Sequence, residues 1–229
     1  MKQITIAIDG FSSTGKSTVA KLVAKALGYV YVDSGAMYRA ITFFAMQNDM
    51  ISNNHFSKDK LIAELPNAKV SFKFNDELGF AEVYLNDENI ERDIRTLEVS
   101  NLVSTIAAIP EVRAQLVKIQ KEIGKHKAVV MDGRDIGTVV FPDAELKIFM
   151  SASADTRAAR RFKELSDRGE TVSYQDVLEN VQKRDHLDST RKDSPLYKAE
   201  DAIAIDNSNL TIQEQLDFIL QQVQTILKA

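Results

Sequence analysis

The chain has 229 residues, 44% of them hydrophobic and 27% charged, enough for one domain with its own core or one domain carrying an insertion. Its 29 Lys plus Arg against 33 Asp plus Glu give a net charge of −4, so bulk charge favours neither a nucleic acid polymer nor an acidic membrane, and any anion must be held by local cations. Cysteine is absent, which excludes disulfides, thiolate zinc sites and a cysteine nucleophile and fits a cytoplasmic protein; no apolar run approaches the ~18 residues of a membrane span.

The first element is "QITIAID", short, β-branched and almost wholly apolar, as in a buried parallel strand. Lys2 ahead of "ITIAI" has the look of a signal peptide, but Asp9 ends the run too early for an export segment. A helix is expected from about Lys16 to Leu27, with Val19, Leu22, Val23, Ala26 and Leu27 at helical spacing and Gly28 as its stop. Between strand and helix lie Gly10, Phe11, Ser12, Ser13, Thr14, Gly15, Lys16 and Ser17, a match to G-x-x-x-x-G-K-[ST]. A chain that wraps a phosphate before starting a helix turns its N–H groups inward as an anion nest, at the positive end of the helix dipole. Gly10 and Gly15 permit the tight backbone, Lys16 can reach the β- and γ-phosphates, Ser17 can offer its hydroxyl to Mg²⁺, and Thr18 stands one step into the helix. If position 13 needs a positive φ, Ser13 carries strain. The plainer reading is a glycine turn with a surface lysine and a hydroxyl cap. A GTPase would want N-K-x-D, which is absent, and the D-x-x-G match at Asp76 falls inside a segment expected to be antiparallel sheet, away from the γ-phosphate.

"YVYV" is the second strand, followed by a helix from about Gly35 to Asn48. In "VDSGAMYRA", Asp33 or Ser34 can cap that helix, Gly35 allows close backbone approach, and Tyr38 and Arg39 lie one turn in; alone, this is equally an ordinary capped helix. Residues 68–92 alternate apolar with polar in "AKVSFKF", "FAEVYL" and "ENIE", which predicts a small inserted antiparallel sheet. Helices near 97–108 and 111–124 are divided by Pro110. "KAVVMD" and "ELKIFMSA" are further buried strands. The intervening "MDGRDIGTVVFPDA" places Asp132 at a strand end, where a carboxylate can order Mg²⁺ or its waters. Arg134 and Asp135 then project from a glycine-containing turn at the carboxyl edge of the sheet, where open α/β folds bind ligands, or they form a mere Arg–Asp pair in a polar turn.

An Arg-rich helix from about Ala154 to Ser166 follows, then one from about Tyr174 to Ser189, the strand "DAIAID" and a last helix near 211–227. The alternation gives an α/β fold, a mostly parallel sheet covered on both sides. Arg157, Arg160 and Arg161 share a helical face, either a basic stripe in solvent or a lid that neutralises a transferring phosphoryl group. Arg184, Asp188 and Arg191 share another, whose plainer reading is an intrahelical ion pair worth ~0.5 kcal/mol. His55, His126 and His186 have no metal-ligand spacing and are expected at the surface.

With "GFSSTGKST", "DSGAMYRA" and "DGRDIGTVVFPDA" in this order and spacing, and with "EVSNLVSTIAAIPEVR" and "RDHLDSTR", the chain resembles the bacterial cytidylate kinases over nearly its whole length. The resemblance implies a P-loop fold of the nucleoside monophosphate kinase kind, one domain with a core of residues 1–57, 94–153 and 191–229, a nucleotide-binding insert at about 58–93 and a helical lid at about 154–190. It implies transfer of the γ-phosphoryl group of ATP to CMP or dCMP, with Mg²⁺. It carries the acceptor site onto Ser34, Tyr38, Arg39, Ser104, Arg113, Arg134, Asp135, Arg184, Asp188 and Arg191. In that frame Arg39, Arg134 and Arg191 offer forked donors to the acceptor phosphate. Asp135 accepts from the cytosine amino group and repels the uracil carbonyl, and Ser104 and Arg113 address the rest of the base edge. Arg184 and Asp188 address the ribose and the neighbouring phosphate. The catalytic set is Lys16, Arg134, Arg157, Arg161 and Asp132; Ser17 holds the metal, with Asp132 acting through water. No general base is expected, because the attacking oxygen belongs to an ionised phosphate. The departures are Phe11 where proline is usual and Ser13 where glycine is usual. The expected partners are ATP and CMP or dCMP alone, bound by a monomer. Two alternatives remain: a P-loop kinase for UMP or a metabolite hydroxyl, and a P-loop nucleotide-binding protein without turnover.

Overall fold

A computed structural model describes residues 3–75, 77 and 80–228; Lys2 and the Asp76 and Gly79 of the D-x-x-G match lie outside the described residues. Strand β1 (Thr5–Gly10) leads into α1 (Lys16–Leu27), and β2 (Val30–Asp33) into α2 (Ser34–Gln47). The hairpin β3 (Ile51–Ser52) and β4 (His55–Phe56) and the short α3 (Lys58–Glu64) precede β5 (Val70–Asn75), β6 (Phe80–Leu85) and β7 (Glu88–Asn89). Then come α4 (Leu97–Ala107), α5 (Pro110–Ile123) and β8 (Val129–Gly133). The chain closes with β9 (Leu146–Ser151), α6 (Ala154–Asp167), α7 (Tyr174–Thr190), β10 (Ile203–Asp206) and α8 (Ile212–Lys228).

Among the described residues, β10, β9, β1, β8 and β2 form one sheet in that order, every pairing parallel. All six residues of β1 are buried, as its unbroken apolar run predicts for a central strand. Ile6 and Ile8 face a core with Val19 and Val23 of α1 and Ile219 of α8. Ala7 faces the opposite core, with Met131 and Ile136. The register puts Asp9 beside Gly133 and Gly10 beside Met150, so the phosphate loop and the turn after β8 leave the same edge side by side. That crevice is where parallel sheets bind ligands.

The insert is the expected antiparallel sheet, β5–β6–β7, although the third strand is only two residues long. It is not freestanding: Leu61, Val83, Leu85 and Ile90 join Met37 and Ile41 of α2, Ile106 of α4 and Leu116 of α5 in one cluster. Helices α6 and α7 have a far smaller core, Ala158, Leu165 and Val177. Pro110, expected between two helices, opens α5 at its first turn, where its missing N–H costs nothing. The turn after Asp135 is π-helical over Ile136–Val140, with Val140 N donating to Asp135 O at 3.2 Å and Phe141 N to Ile136 O at 2.6 Å. His55, His126 and His186 are exposed, as expected. Among the described residues no helix is long and apolar enough to cross a membrane.

Candidate active site

The loop between β1 and α1 has the backbone its sequence demands. Gly10 has φ 148, and a Cβ there would collide with the Met150 carbonyl, so no other residue fits. Ser13 does take a left-handed conformation, φ 58, in a position glycine would hold without strain. The loop carbonyls are held by donors: Phe11 O by Lys16 Nζ at 2.6 Å, Ser12 O by Arg157 Nη1 at 3.1 Å and Thr14 O by Asn207 Nδ2 at 2.7 Å.

At the head of α1, Ser17 Oγ donates to Asp132 Oδ2 at 2.9 Å, and Tyr31 Oη donates to Asp132 Oδ1 at 2.8 Å. Burial raises the Asp132 pKa to about 6, helped by the Asp33 charge. Burial, with Arg134 nearby, lowers Lys16 to about 7. Burial outweighs the attraction of Asp132 and Asp9 for Lys16 and of Lys16 for Asp132, and a polyanion on Lys16 and a divalent cation on Asp132 would favour both charged forms. A hydroxyl and a carboxylate are hard oxygen donors of the kind Mg²⁺ takes together with waters and substrate phosphates. Among the described residues no group of three or more His, Cys, Asp or Glu could hold a metal.

These groups open into a cavity of about 640 Å³ lined by Ser12 through Thr18 and by Arg39, Arg95, Arg134, Arg161, Arg168 and Arg184. Among the described residues neither Arg39 nor Arg184 ion-pairs with a carboxylate. Burial, then Arg134, lowers Arg184 to about 10; burial, then Arg184 and Arg161, pushes Arg39 down as well. A crowd of cations withdrawn from water and repelling one another is a receptor for an anion.

A smaller pocket adjoins this cavity and shares Gly35, Gly133, Arg134 and Arg184 with it. Its own lining includes Ser34, Tyr38, Ser104, Arg113, Asp135, Asp188 and Arg191. Asp135 accepts from Arg113 Nη2, and Arg191 Nη2 lies 3.6 Å from its other oxygen. Asp188 accepts from Ser104 Oγ and from Arg134 Nε, both at 2.9 Å, and its pKa is lowered despite burial by Arg134, Arg184 and Arg191. Ser34 Oγ donates to the Asp132 carbonyl at 2.6 Å. Among the described residues, Arg113 Nε and Arg184 Nε are buried without a hydrogen-bond partner. Orphaned polar atoms gathered on one pocket are what a bound ligand would satisfy.

Two of the expected site residues, Arg191 and Arg157, lie outside the lining of the larger cavity. Arg191 is the cap residue beyond the end of α7, not part of its face, and lies beside Asp135 in the smaller pocket, apart from Arg39. Arg157 lines neither pocket. Its Nε donates to Ala152 O at 2.9 Å, Nη1 to Ser12 O, and Nη2 pairs with Asp185 at 2.7 Å, so it grips the loop from behind. Its guanidinium lies 5.4 Å over the Phe11 ring, which gives the aromatic residue at position 11 a packing role. Arg160 likewise turns to Asn207, leaving Arg161 as the member of that arginine face that reaches the cavity.

Sequence reasoning missed Arg95, which lines the cavity while paired with Asp33 and Glu91 at 2.8 Å each; no motif marks it. It also gave no task to Asp9, whose carboxylate accepts from Ile136 N at 2.8 Å and Gly137 N at 2.7 Å and so ties β1 to the π-helical turn. An acid ending an apolar strand was the available signal. Burial raises Asp9 to about 6 against the pull of those two N–H groups.

The family described as cytidylate kinase matches residues 6–225. The chain is 63% identical over 226 residues to the cytidylate kinase of Flavobacterium psychrophilum, covering 99% of this chain and 100% of that one. It is 62% identical over 228 residues to the cytidylate kinase of Flavobacterium johnsoniae, covering 100% of this chain and 99% of that one. An uncharacterized protein from Eubacterium ventriosum, 15% identical, superposes with a TM-score of 0.50 over 98% of this chain and 99% of that one, a likeness of fold alone. A phosphate loop, an arginine-lined cavity and a second pocket on the same sheet edge thus occur in a chain that belongs to the cytidylate kinase family.

Proposed function

We propose that the protein transfers the γ-phosphoryl group of ATP to CMP or dCMP, giving ADP and CDP or dCDP. The observation that carries this reading is the pairing of the two pockets. One is lined by six arginines, two of which, Arg39 and Arg184, ion-pair with no carboxylate among the described residues, and is headed by a phosphate loop; the other adjoins it and presents carboxylate, guanidinium and hydroxyl groups suited to a base and sugar.

The loop residues Ser12 to Thr18 bind the ATP phosphates, and Lys16 exchanges its bond to the Phe11 carbonyl for the β- and γ-phosphates. Ser17, and Asp132 through water, would hold Mg²⁺, which would supply neutralisation of the negative charge on the transferring phosphate. Arg39 and Arg134 hold the acceptor phosphate, with Arg184 beside it. Asp135, steadied by Arg113 and Arg191, accepts from the cytosine amino group. Ser34, Tyr38 and Ser104 line the base pocket, and Asp188 takes the ribose. An oxygen of the CMP phosphate bonds to the γ-phosphorus as the bond from that phosphorus to the bridging oxygen breaks, and the electron pair leaves on ADP. No proton needs to move. Lys16, Arg134 and Arg161 stabilise the charge that shifts toward the leaving oxygen. Arg157 serves by holding the loop, not by touching phosphate.

Residues 154–190, with their small core, act as the lid that excludes water, and residues 58–93 act as the nucleotide-binding insert. Both pockets are built by one chain, which supports a working monomer, and the absence of cysteine supports a cytoplasmic setting. The test is ADP release from ATP–Mg²⁺ with CMP, dCMP, UMP, AMP, GMP and shikimate in turn. CMP and dCMP should give the highest rates; a rate with CMP equal to that in buffer alone sinks the reading.

A further inference from the structure

The segment "RDHLDSTR" supplies Arg184, Asp188 and Arg191 to the acceptor side and leaves Asp185 unused. Asp185 lines neither pocket and instead meets the phosphate loop. Its Oδ1 accepts from Ser12 N at 3.4 Å, and its Oδ2 pairs with Arg157 Nη2 at 2.7 Å. Arg157 in turn donates from Nη1 to Ser12 O at 3.1 Å. One residue of the loop is therefore gripped at both its N–H and its carbonyl by two side chains that also grip each other. The ring is largely withdrawn from solvent, with Ser12 2%, the Arg157 side chain 6% and the Asp185 side chain 19% exposed, so the ion pair inside it is only partly screened.

The place of this ring matters. Ser12 precedes Ser13, whose φ of 58 is disfavoured for any residue with a side chain, and such a conformation persists only where its surroundings over-determine it. Phe11, on the other side, is packed under the same Arg157 guanidinium. The clamp thus acts on a loop whose own sequence does not secure its shape. Its carboxylate also comes from α7, one residue along from Arg184, which lines both pockets. Any shift of α7 on acceptor binding is felt at Ser12, and the reverse holds by linkage.

We propose that Asp185 is a positioning residue that, together with Arg157, holds the strained phosphate loop in its receiving shape and couples that shape to the acceptor helix. The proposal rests on reading the two pockets as donor and acceptor sites. The test is calorimetric binding of the β,γ-imido analogue of ATP with Mg²⁺, alone and with saturating CMP, to the wild type, Asp185→Ala and Asp185→Asn. In the wild type CMP tightens analogue binding. Asp185→Ala weakens analogue binding at least about tenfold and brings the CMP enhancement close to one, while CMP alone binds within about twofold of the wild type. Asp185→Asn keeps an oxygen for Ser12 N without the ion pair and falls between the two. Analogue binding within twofold of the wild type in Asp185→Ala overturns the proposal. So do equal losses of analogue and CMP affinity that follow the fall in Tm, since a merely structural residue would act that way. If Asp185→Ala does not fold, Arg157→Lys takes its place, and unchanged analogue binding there overturns the proposal equally. Failure of the functional reading looks different: the wild type itself then binds no CMP, while analogue binding to the wild type and the variants still reports on the loop clamp.

Discussion

The phosphate loop and the smaller pocket beside it are built on opposite plans. The loop is one stretch of consecutive residues whose job falls to backbone groups and one lysine. The pocket gathers side chains from α2, α4, α5, the turn after β8 and the end of α7. A backbone site tolerates odd side chains, which is why Phe11 and Ser13 can stand in it, provided Arg157, Asn207 and Asp185 hold the loop from outside. A side-chain site tolerates few changes and depends on the cores behind it. Those cores are unequal. Helices α4 and α5 are anchored in the cluster shared with α2 and the insert, whereas α7 rests on the small patch around Leu165 and Val177. The pocket therefore has one wall backed by a large core and one backed by a small core.

The sharpest break of this comparison is Lys16→Ala. It should lower kcat by about 10³-fold or more, because it strips the loop of its one cationic side chain, while CMP binding measured by calorimetry stays near that of the wild type. A loss of CMP affinity as large as the loss of turnover would show that the two sites are one unit. Next come two substitutions of the same chemistry behind the two walls. Leu116→Ala should cost about 3 kcal/mol in a urea melt, and Leu165→Ala less. Leu165→Ala should instead speed amide exchange in α6 and α7, and equal global losses would remove the distinction between the walls.

Asp135→Ala should narrow the CMP-to-UMP ratio of kcat/KM by about 10- to 100-fold, as loss of a base-reading contact predicts. An unchanged ratio would place base reading elsewhere. The smallest effect concerns pH. Ionised Asp9 accepts from both Ile136 N and Gly137 N; below its pKa of about 6 one oxygen becomes a donor and the turn carrying Arg134 and Asp135 loses a tie. Asp132, also about 6, would have to be ionised for the proposed metal-ordering role. Activity should therefore fall as pH drops through about 6, with the two carboxyls titrating together. Asp9→Asn should cut the neutral-pH rate by a few-fold and make the acid limb shallower; a limb of unchanged steepness would leave Asp9 out of it.

The phosphate loop, the strand–helix alternation, the antiparallel insert and the turn carrying Arg134 and Asp135 were all legible along the chain, because each depends on residues within a few positions of one another. Periodicity, glycine placement and strand-end acids are local signals, and the parallel sheet they build has a known binding edge. Helical spacing told that Arg157 and Arg161 share a face and that Arg184 and Asp188 share another, but spacing does not say what stands opposite. Arg157 turning back to Ser12, Arg191 reaching Asp135, Arg95 joining the cavity and Asp185 closing on the loop were decided by packing. Each pairs groups brought together from separate elements, and a long guanidinium stem settles wherever burial leaves a carboxylate or carbonyl unsatisfied.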